Sequence, residues 1–126
     1  MRCLIVDDNA SFRREMNGLL REQGIAVVGG AASSAEAFVQ IADLHPDVVL
    51  VDIDLGAESG LELVRRLWER TSSAPCPDLI LVSTHDEGEY ADLVEASPAV
   101  GFLAKTDLSA AAIREMLAAA DGSGAG

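Results

Sequence analysis

The sequence has few cysteines, and they form no pattern that would build a disulfide framework or a metal site. Its 126 residues include two cysteines, Cys3 in an apolar run and Cys76 between two prolines. No CxxC pair and no cluster of cysteine with histidine is present. These absences argue against a disulfide scaffold and against a structural zinc site.

Basic residues and long apolar runs are also scarce. Nine lysines and arginines stand against 21 acidic residues, which gives a formal net charge of −12. Such a charge repels phosphate backbones and anionic lipids, so we expect no direct binding of nucleic acid or membrane. The first apolar run ends at Asp7 and is too short for a signal peptide, so we expect none. No apolar run approaches the ~20 residues needed to cross a bilayer. We therefore expect a cytoplasmic protein.

The length and composition predict one domain with a short tail. With 49% hydrophobic residues, 126 residues suffice for one core but not for a core and a separate output module. The last residues are rich in glycine and serine and have nothing to bury. We predict a domain over 1–120 and a flexible tail over 121–126.

Strand-like and helix-like segments alternate along the chain. Short runs rich in valine, isoleucine and leucine predict strands over 3–6, 25–29, 47–51, 79–83 and 100–104. Apolar positions at helical spacing predict helices that end before Gly24, begin at Ser33, and cover about 59–70, 86–96 and 107 onward. Five βα units in series predict an α/β fold, a doubly wound parallel sheet with helices on both faces.

Charged or hydroxyl residues end or follow four of the predicted strands. They are Asp7, Asp8, Asp52, Ser83, Thr84 and Lys105. Because the carboxyl ends of parallel strands lie along one edge of a sheet, these side chains should converge there. Carboxylates suit a divalent metal ion, and a lysine with a hydroxyl suits a phosphoryl group.

Each of these residues also has an ordinary structural interpretation. Asp7 and Asp8 could cap the next helix, and Lys105 could extend from a strand end to solvent. Asp52 is more informative because it ends a run of four apolar residues, where burial penalises an ionised carboxylate. Asp54 follows two residues later, and Mg²⁺ would relieve the repulsion between such closely spaced acids.

The order and spacing of these residues resemble the receiver domains of two-component response regulators. That family has an acidic pair after strand one, an acceptor aspartate after strand three, a hydroxyl after strand four and a lysine after strand five. The spacings here are 44 residues from Asp8 to Asp52, 31 from there to Ser83 and 22 from there to Lys105. The resemblance covers residues 2 to about 119. It implies a flavodoxin-like (βα)5 fold with strand order 2-1-3-4-5.

The resemblance also implies the phosphorylation chemistry. Asp52 would accept a phosphoryl group from a sensor histidine kinase or a phosphotransfer protein. The side chains of Asp8 and Asp52 and the backbone carbonyl of Asp54 would hold Mg²⁺, with Asp7 acting mainly through water. The domain would then be a switch that assists its own phosphorylation, not a turnover enzyme.

The remaining implied roles concern the phosphorylated state. Ser83 and Lys105 would bind the phosphoryl group, and Thr84 competes for the hydroxyl role. Movement of Ser83 would be coupled to Phe102 on strand five. An output partner or a second receiver would bind the face formed by the predicted helix over 86–96, the strand over 100–104 and the helix from 107 onward. This output face lies around Tyr90, Phe102 and Leu108. The pair Lys105-Thr106 replaces the common Lys-Pro and is similar to the subfamily with helix-turn-helix output domains.

Two other functions fit parts of the pattern. Asp52 and Asp54 form a DxD motif similar to that of haloacid-dehalogenase-like phosphatases, although that family places its acidic pair late in the chain, not first. Alternatively, the chain could be a receiver-like binding module that works without phosphorylation. The competent residues at all five family positions argue against this second alternative.

Overall fold

The computed structural model describes residues 1–56, 58–70, 77–84, 92 and 95–125, with side chains up to residue 119. The strands are β1 (Arg2–Val6), β2 (Ala26–Ala31), β3 (Val48–Asp52), β4 (Asp54–Leu55), β5 (Glu58–Ser59), β6 (Asp78–Ser83) and β7 (Gly101–Ala104). Five of them pair in parallel in the order β2-β1-β3-β6-β7. This is the predicted 2-1-3-4-5 order of a flavodoxin-like fold. The two-residue strands β4 and β5 form a separate antiparallel pair.

Four helices are described around this sheet. They are α1 (Ala10–Glu22), α2 (Ser34–Leu44), α3 (Gly60–Arg70) and α4 (Ala110–Ala125), with a 3-10 turn over Lys105–Asp107. Asn9 caps α1 by accepting from the N–H groups of the second and third residues after it. Ser33 caps α2 as its position predicts, and its side chain accepts from the N–H of Glu36. Most of the predicted helix over 86–96 lies outside the described residues. Within the described part of the chain, no helix has the length and apolar character to span a membrane.

The central strand β3 explains why the sheet is covered on both sides. All five of its residues are buried, and successive side chains point to opposite faces. Val49 and Val51 join the core that includes Leu63 of α3, whereas Val48 and Leu50 join the core that includes Leu20 of α1. Helices therefore pack on both faces of the sheet, as the predicted doubly wound fold requires.

The sequence patterns misplace some helical features. The helical spacing of residues 59–70 predicts an inward position for Trp68, but its side chain is 56% exposed, because Leu63, Val64 and Leu67 fill the sheet-facing side of α3. The last helix begins at Ala110 and not near Asp107, since residues 105–107 form the 3-10 turn. Its backbone continues to Ala125 and so includes most of the glycine-rich end. The division into a domain and a tail stays a prediction.

Candidate functional site

Three acidic side chains meet at the carboxyl ends of β1 and β3. Asp7 follows β1 and is 1% exposed, Asp52 ends β3 and is 7% exposed, and Asp8 is exposed. One carboxylate oxygen from each lies within 4.8 Å of the others. The two strands are neighbours, with Val6 paired to Val51, so the topology brings the acids together as the sequence predicts.

Lys105 reaches this acidic cluster from the end of β7. Its Nζ lies 2.7 Å from Oδ2 of Asp7 and 3.2 Å from Oδ2 of Asp52, and its side chain is 14% exposed. The same Nζ lies 4.2 Å from the ring centroid of Phe12 on α1, a cation–π distance. The sequence motifs gave Phe12 no part in the site. Its place in the first turn of α1, four residues after Asp8, is the signal that could have linked it to the site.

The charges in this cluster depend on one another. Burial is the main reason that the pKa of Asp52 is raised to about 6. The N–H of Asp54 donates to Oδ1 of Asp52 at 3.0 Å and acts to lower the same pKa. The nearby charge of Asp7 raises the same pKa further, and Lys105 lowers it. Burial acts to lower the pKa of Lys105, but its contacts with Asp7 and Asp52 outweigh burial and raise it. Lys105 therefore remains a cation, and its charge partly offsets the negative charge of Asp7 and Asp52.

The donor set fits a hard divalent cation. Oδ2 of Asp7 is buried and, among the described residues, has no hydrogen-bond donor with good geometry, so its close partner is the ammonium of Lys105. Three carboxylates at this spacing are the oxygen ligands that Mg²⁺ prefers. Asp7, Asp8 and Asp52 could therefore hold a metal ion, and the part assigned to the carbonyl of Asp54 stays a prediction.

The loop after β3 fixes the backbone of Asp52. Gly60 opens α3, and its N–H donates to the carbonyl of Ile53 at 2.7 Å. A Cβ atom at Gly60 would lie 1.9 Å from the carbonyl oxygen of Asp52. Gly56 has a φ of +69°, and a Cβ there would lie 3.0 Å from Oδ2 of Asp8. Sequence reasoning missed both glycines, although a glycine that opens a helix was a usable signal.

Glu58 ties the same loop to the start of α2. The N–H of Ser34 donates to Oε1 of Glu58 at 3.0 Å, and the Ser34 hydroxyl donates to Oε2. These hydrogen bonds place a carboxylate at the first turn of α2, where the helix dipole favours negative charge. Nothing in the sequence pattern pairs these two residues, which are 24 positions apart.

The predicted hydroxyl and switch residues occupy different environments. Ser83 ends β6, is 2% exposed and pairs with Ala104, the residue before Lys105, whereas Thr84 is exposed. Phe102 is 8% exposed and Leu108 5% exposed, so neither adds accessible surface to the predicted output face. Tyr90, the third residue named for that face, lies outside the described residues. The output face stays a prediction.

We expect the metal-free protein to become more stable when Asp52 is replaced by asparagine. The pKa of Asp52 is about 6 in the folded protein against an ordinary 3.8, so between pH 4 and 6 the folded state binds more protons. Stability therefore falls as pH rises through this window. The full shift corresponds to ~3 kcal/mol, and solvent screening at the edge of the sheet reduces it to about 1–2 kcal/mol.

Urea unfolding in EDTA between pH 4 and 8 measures this effect. Asp52→Asn should flatten the pH dependence between pH 4 and 6 and raise the unfolding midpoint at pH 7.5. Asp43→Asn, which removes an exposed acid of α2 that is not in the acidic cluster, is the matched control and should keep the fall in stability as the pH rises from 4 to 6. Equal midpoints for the wild type and Asp52→Asn at pH 7.5 would contradict the prediction.

Comparisons with known proteins agree with this fold and arrangement. The family model described as "Response regulator receiver domain" matches residues 3–118. The chain is 38% identical over 94 residues to a protein-glutamate methylesterase/protein-glutamine glutaminase from Idiomarina loihiensis, covering 74% of this chain and 24% of the relative. A second such protein, from Cereibacter sphaeroides, is 37% identical over 111 residues, covering 86% of this chain and 30% of the relative. The chain thus spans about a quarter to a third of the length of these curated relatives.

Solved structures give the same result. The signal receiver domain of the NarL response regulator from Mycobacterium tuberculosis superimposes with a TM-score of 0.78 at 29% identity, covering 96% of each chain. A LuxR-family two-component response regulator from Aurantimonas sp. SI85-9A1 gives a TM-score of 0.79 at 26% identity, covering 96% of this chain and 85% of that one. These relatives range from methylesterases to a LuxR-family regulator, so the likeness assigns no output. The match over residues 3–118 shows that the chain belongs to the response regulator receiver domain family.

Proposed function

We propose that this receiver domain accepts a phosphoryl group on Asp52 in a reaction that depends on Mg²⁺. The observation that carries the proposal is the position of the Asp52 carboxylate, at the end of a buried strand between two further acids and Lys105. Phosphoryl transfer needs mainly positioning of the reactants and neutralisation of charge. This arrangement supplies both.

The chain's own residues would position the nucleophile and receive the product. The N–H of Asp54 holds Oδ1 of Asp52, which fixes the rotation of the carboxylate. One Asp52 oxygen would form the bond to phosphorus while the phosphorus–nitrogen bond of a phosphohistidine breaks, and the released imidazole would take a proton. Mg²⁺ held by Asp7, Asp8 and Asp52 would neutralise phosphoryl oxygens during transfer.

Lys105 and Ser83 would bind the new aspartyl phosphate. The ammonium of Lys105 already lies 3.2 Å from Oδ2 of Asp52, so a phosphoryl group added there would find a cation close by. Ser83 lies at the end of the neighbouring strand, and its hydroxyl would donate to a phosphoryl oxygen. Their new contacts would favour a second arrangement of the loops after β6 and β7, with Phe102 as the coupled aromatic residue.

This proposal favours a switch over a turnover enzyme. A phosphatase of the DxD type would use the side chain of Asp54, but Asp54 is exposed and is absent from the acidic cluster. A binding module that works without phosphorylation would have no need for a buried aspartate placed between two further acids and a lysine. We further propose a cytoplasmic setting, a sensor histidine kinase or phosphotransfer protein as the donor, and a partner or second receiver at the output face.

Intact mass spectrometry after incubation with acetyl phosphate tests the proposal. With Mg²⁺, the wild type should gain one phosphoryl group, and EDTA should prevent the gain. Asp52→Asn should show no adduct, whereas Asp54→Asn, which keeps the backbone N–H, should still form it. An adduct that survives in Asp52→Asn would refute Asp52 as the acceptor. Steady phosphate release that Asp54→Asn abolishes would favour the phosphatase.

A further inference from the structure

A cleft lined by none of the acidic-site residues lies between α1 and the edge strand β2. Its volume is about 410 Å³, which is within the range of small-molecule binding sites. Arg14, Asn17 and Arg21 line it from α1, at spacings of three and four residues that place them on one helical face. Gly29 and Gly30 line the strand side, and a Cβ atom at Gly30 would lie 3.3 Å from Cδ of Arg13, so the missing side chain at Gly30 leaves room beside that arginine.

Three of the nine basic residues of the chain line this cleft: Arg13, Arg14 and Arg21. Among the described residues, no acidic side chain lines the cleft or forms a salt bridge with these arginines. The contrast with α3 is clear, since Arg65 and Arg66 both pair with Glu62. A protein with a net charge of −12 thus has three arginines grouped at one cleft that form no salt bridge within the described part of the chain.

Two of the three arginines are held in place by backbone carbonyls. Arg13 donates to the carbonyl of Asp7, and Arg21 donates through Nη2 to the carbonyl of Val27 at 3.1 Å. These hydrogen bonds occupy one N–H of each guanidinium and leave other donors for a ligand. Anchoring also reduces the conformational entropy that a flexible arginine would lose on binding.

We propose that this cleft binds a small anion that carries a diphosphate group, such as pyrophosphate or a nucleoside diphosphate. A guanidinium matches phosphate oxygens through paired N–H donors. Arg14 and Arg21 are seven residues apart, about 10 Å along the helix axis, which suits two linked phosphates better than one. Three cations, no acid in the described lining and a cleft of this volume fit such a ligand.

Calorimetric titration of the full chain in EDTA tests the proposal, because EDTA removes metal-mediated binding at the acidic site. Pyrophosphate, ADP and inorganic phosphate are the probes. Pyrophosphate or ADP should bind at one site and more tightly than inorganic phosphate. Tighter binding of ADP than of pyrophosphate would show that the nucleoside also contacts the cleft, and equal binding would assign the affinity to the diphosphate alone.

Arginine variants locate the site. Arg14→Gln/Arg21→Gln should weaken binding by about tenfold or more, and Arg14→Gln alone, at an exposed side chain, should weaken it by a smaller factor. Arg65→Gln/Arg66→Gln removes the same charge from α3 and should leave binding unchanged. No binding of either diphosphate to the wild type, or an equal loss in the α3 control, would overturn the proposal.

Discussion

Replacing Gly60 by alanine is expected to lower the free energy of unfolding by about 3 kcal/mol and to prevent phosphoryl acceptance at Asp52. The added Cβ would lie 1.9 Å from the carbonyl oxygen of Asp52, 2.7 Å from its carbonyl carbon and 2.9 Å from Cα of Ile53. All three atoms belong to the backbone, so no side-chain rotation relieves the overlap. Either α3 or the end of β3 must move, and both are packed in the core.

The movement would act directly on the proposed acceptor. Gly60 donates its N–H to the carbonyl of Ile53 at 2.7 Å, so the start of α3 and the end of β3 are held as one unit. Separating them displaces Asp52 from Lys105 and from the two other acids. Because transfer depends on near-attack geometry, a displacement of about 1 Å is enough for a large loss of rate.

Gly18 provides the matched control for this substitution. It lies inside α1, and nothing lies within 4 Å of its added Cβ. Gly18→Ala should therefore raise stability by up to about 1 kcal/mol, because alanine favours the helix. Urea unfolding measures both variants, and the mass assay of the phosphoryl adduct reports on the site. Wild-type stability and a normal adduct in Gly60→Ala would show that α3 accommodates the Cβ without disturbing Asp52.

The fold and the convergence of the acids were predictable because both depend on periodicity and topology. Buried strands such as β3 appear in the sequence as continuous apolar runs, and helical spacing identifies the sheet-facing side of each helix. Once the strands are parallel, residues at their carboxyl ends must share one edge. Asp7, Asp52 and Lys105 come together for this reason, although 98 positions separate the first from the last.

Contacts that depend on the distance between elements were not predictable in the same way. The overlap at Gly60, the Glu58–Ser34 hydrogen bonds and the cation–π contact of Phe12 all depend on how closely two elements approach. Periodicity gives the face of a helix but not its distance from the neighbouring strand. Trp68 shows the same limit, since its helical spacing predicted an inward position and packing placed it outside.

Replacing Lys105 by methionine is expected to destabilise the metal-free protein by about 2 kcal/mol at pH 7.5, opposite in sign to the effect of Asp52→Asn. Removal of one partner from a buried ion pair costs about 3–5 kcal/mol, and solvent screening and proton uptake by Asp52 reduce this cost. Methionine is an unbranched side chain of similar length, and its sulfur can pack against the Phe12 ring that the ammonium now faces. The loss therefore reports the charge and not a cavity.

A double-mutant cycle with Asp52→Asn separates the pair from its surroundings. If Lys105 compensates the charge of Asp52, Lys105→Met should cost less in the Asp52→Asn background, by about 1 kcal/mol. The destabilisation that Lys105→Met still causes in the Asp52→Asn background reports the interaction with Asp7, whose Oδ2 lies 2.7 Å from the same ammonium. Urea unfolding of the four proteins in EDTA gives the coupling. If Lys105→Met instead stabilises the protein, the free-energy cost of burying the ammonium exceeds its favourable interaction with Asp7 and Asp52. The ammonium would then be retained for phosphoryl binding and not for folding.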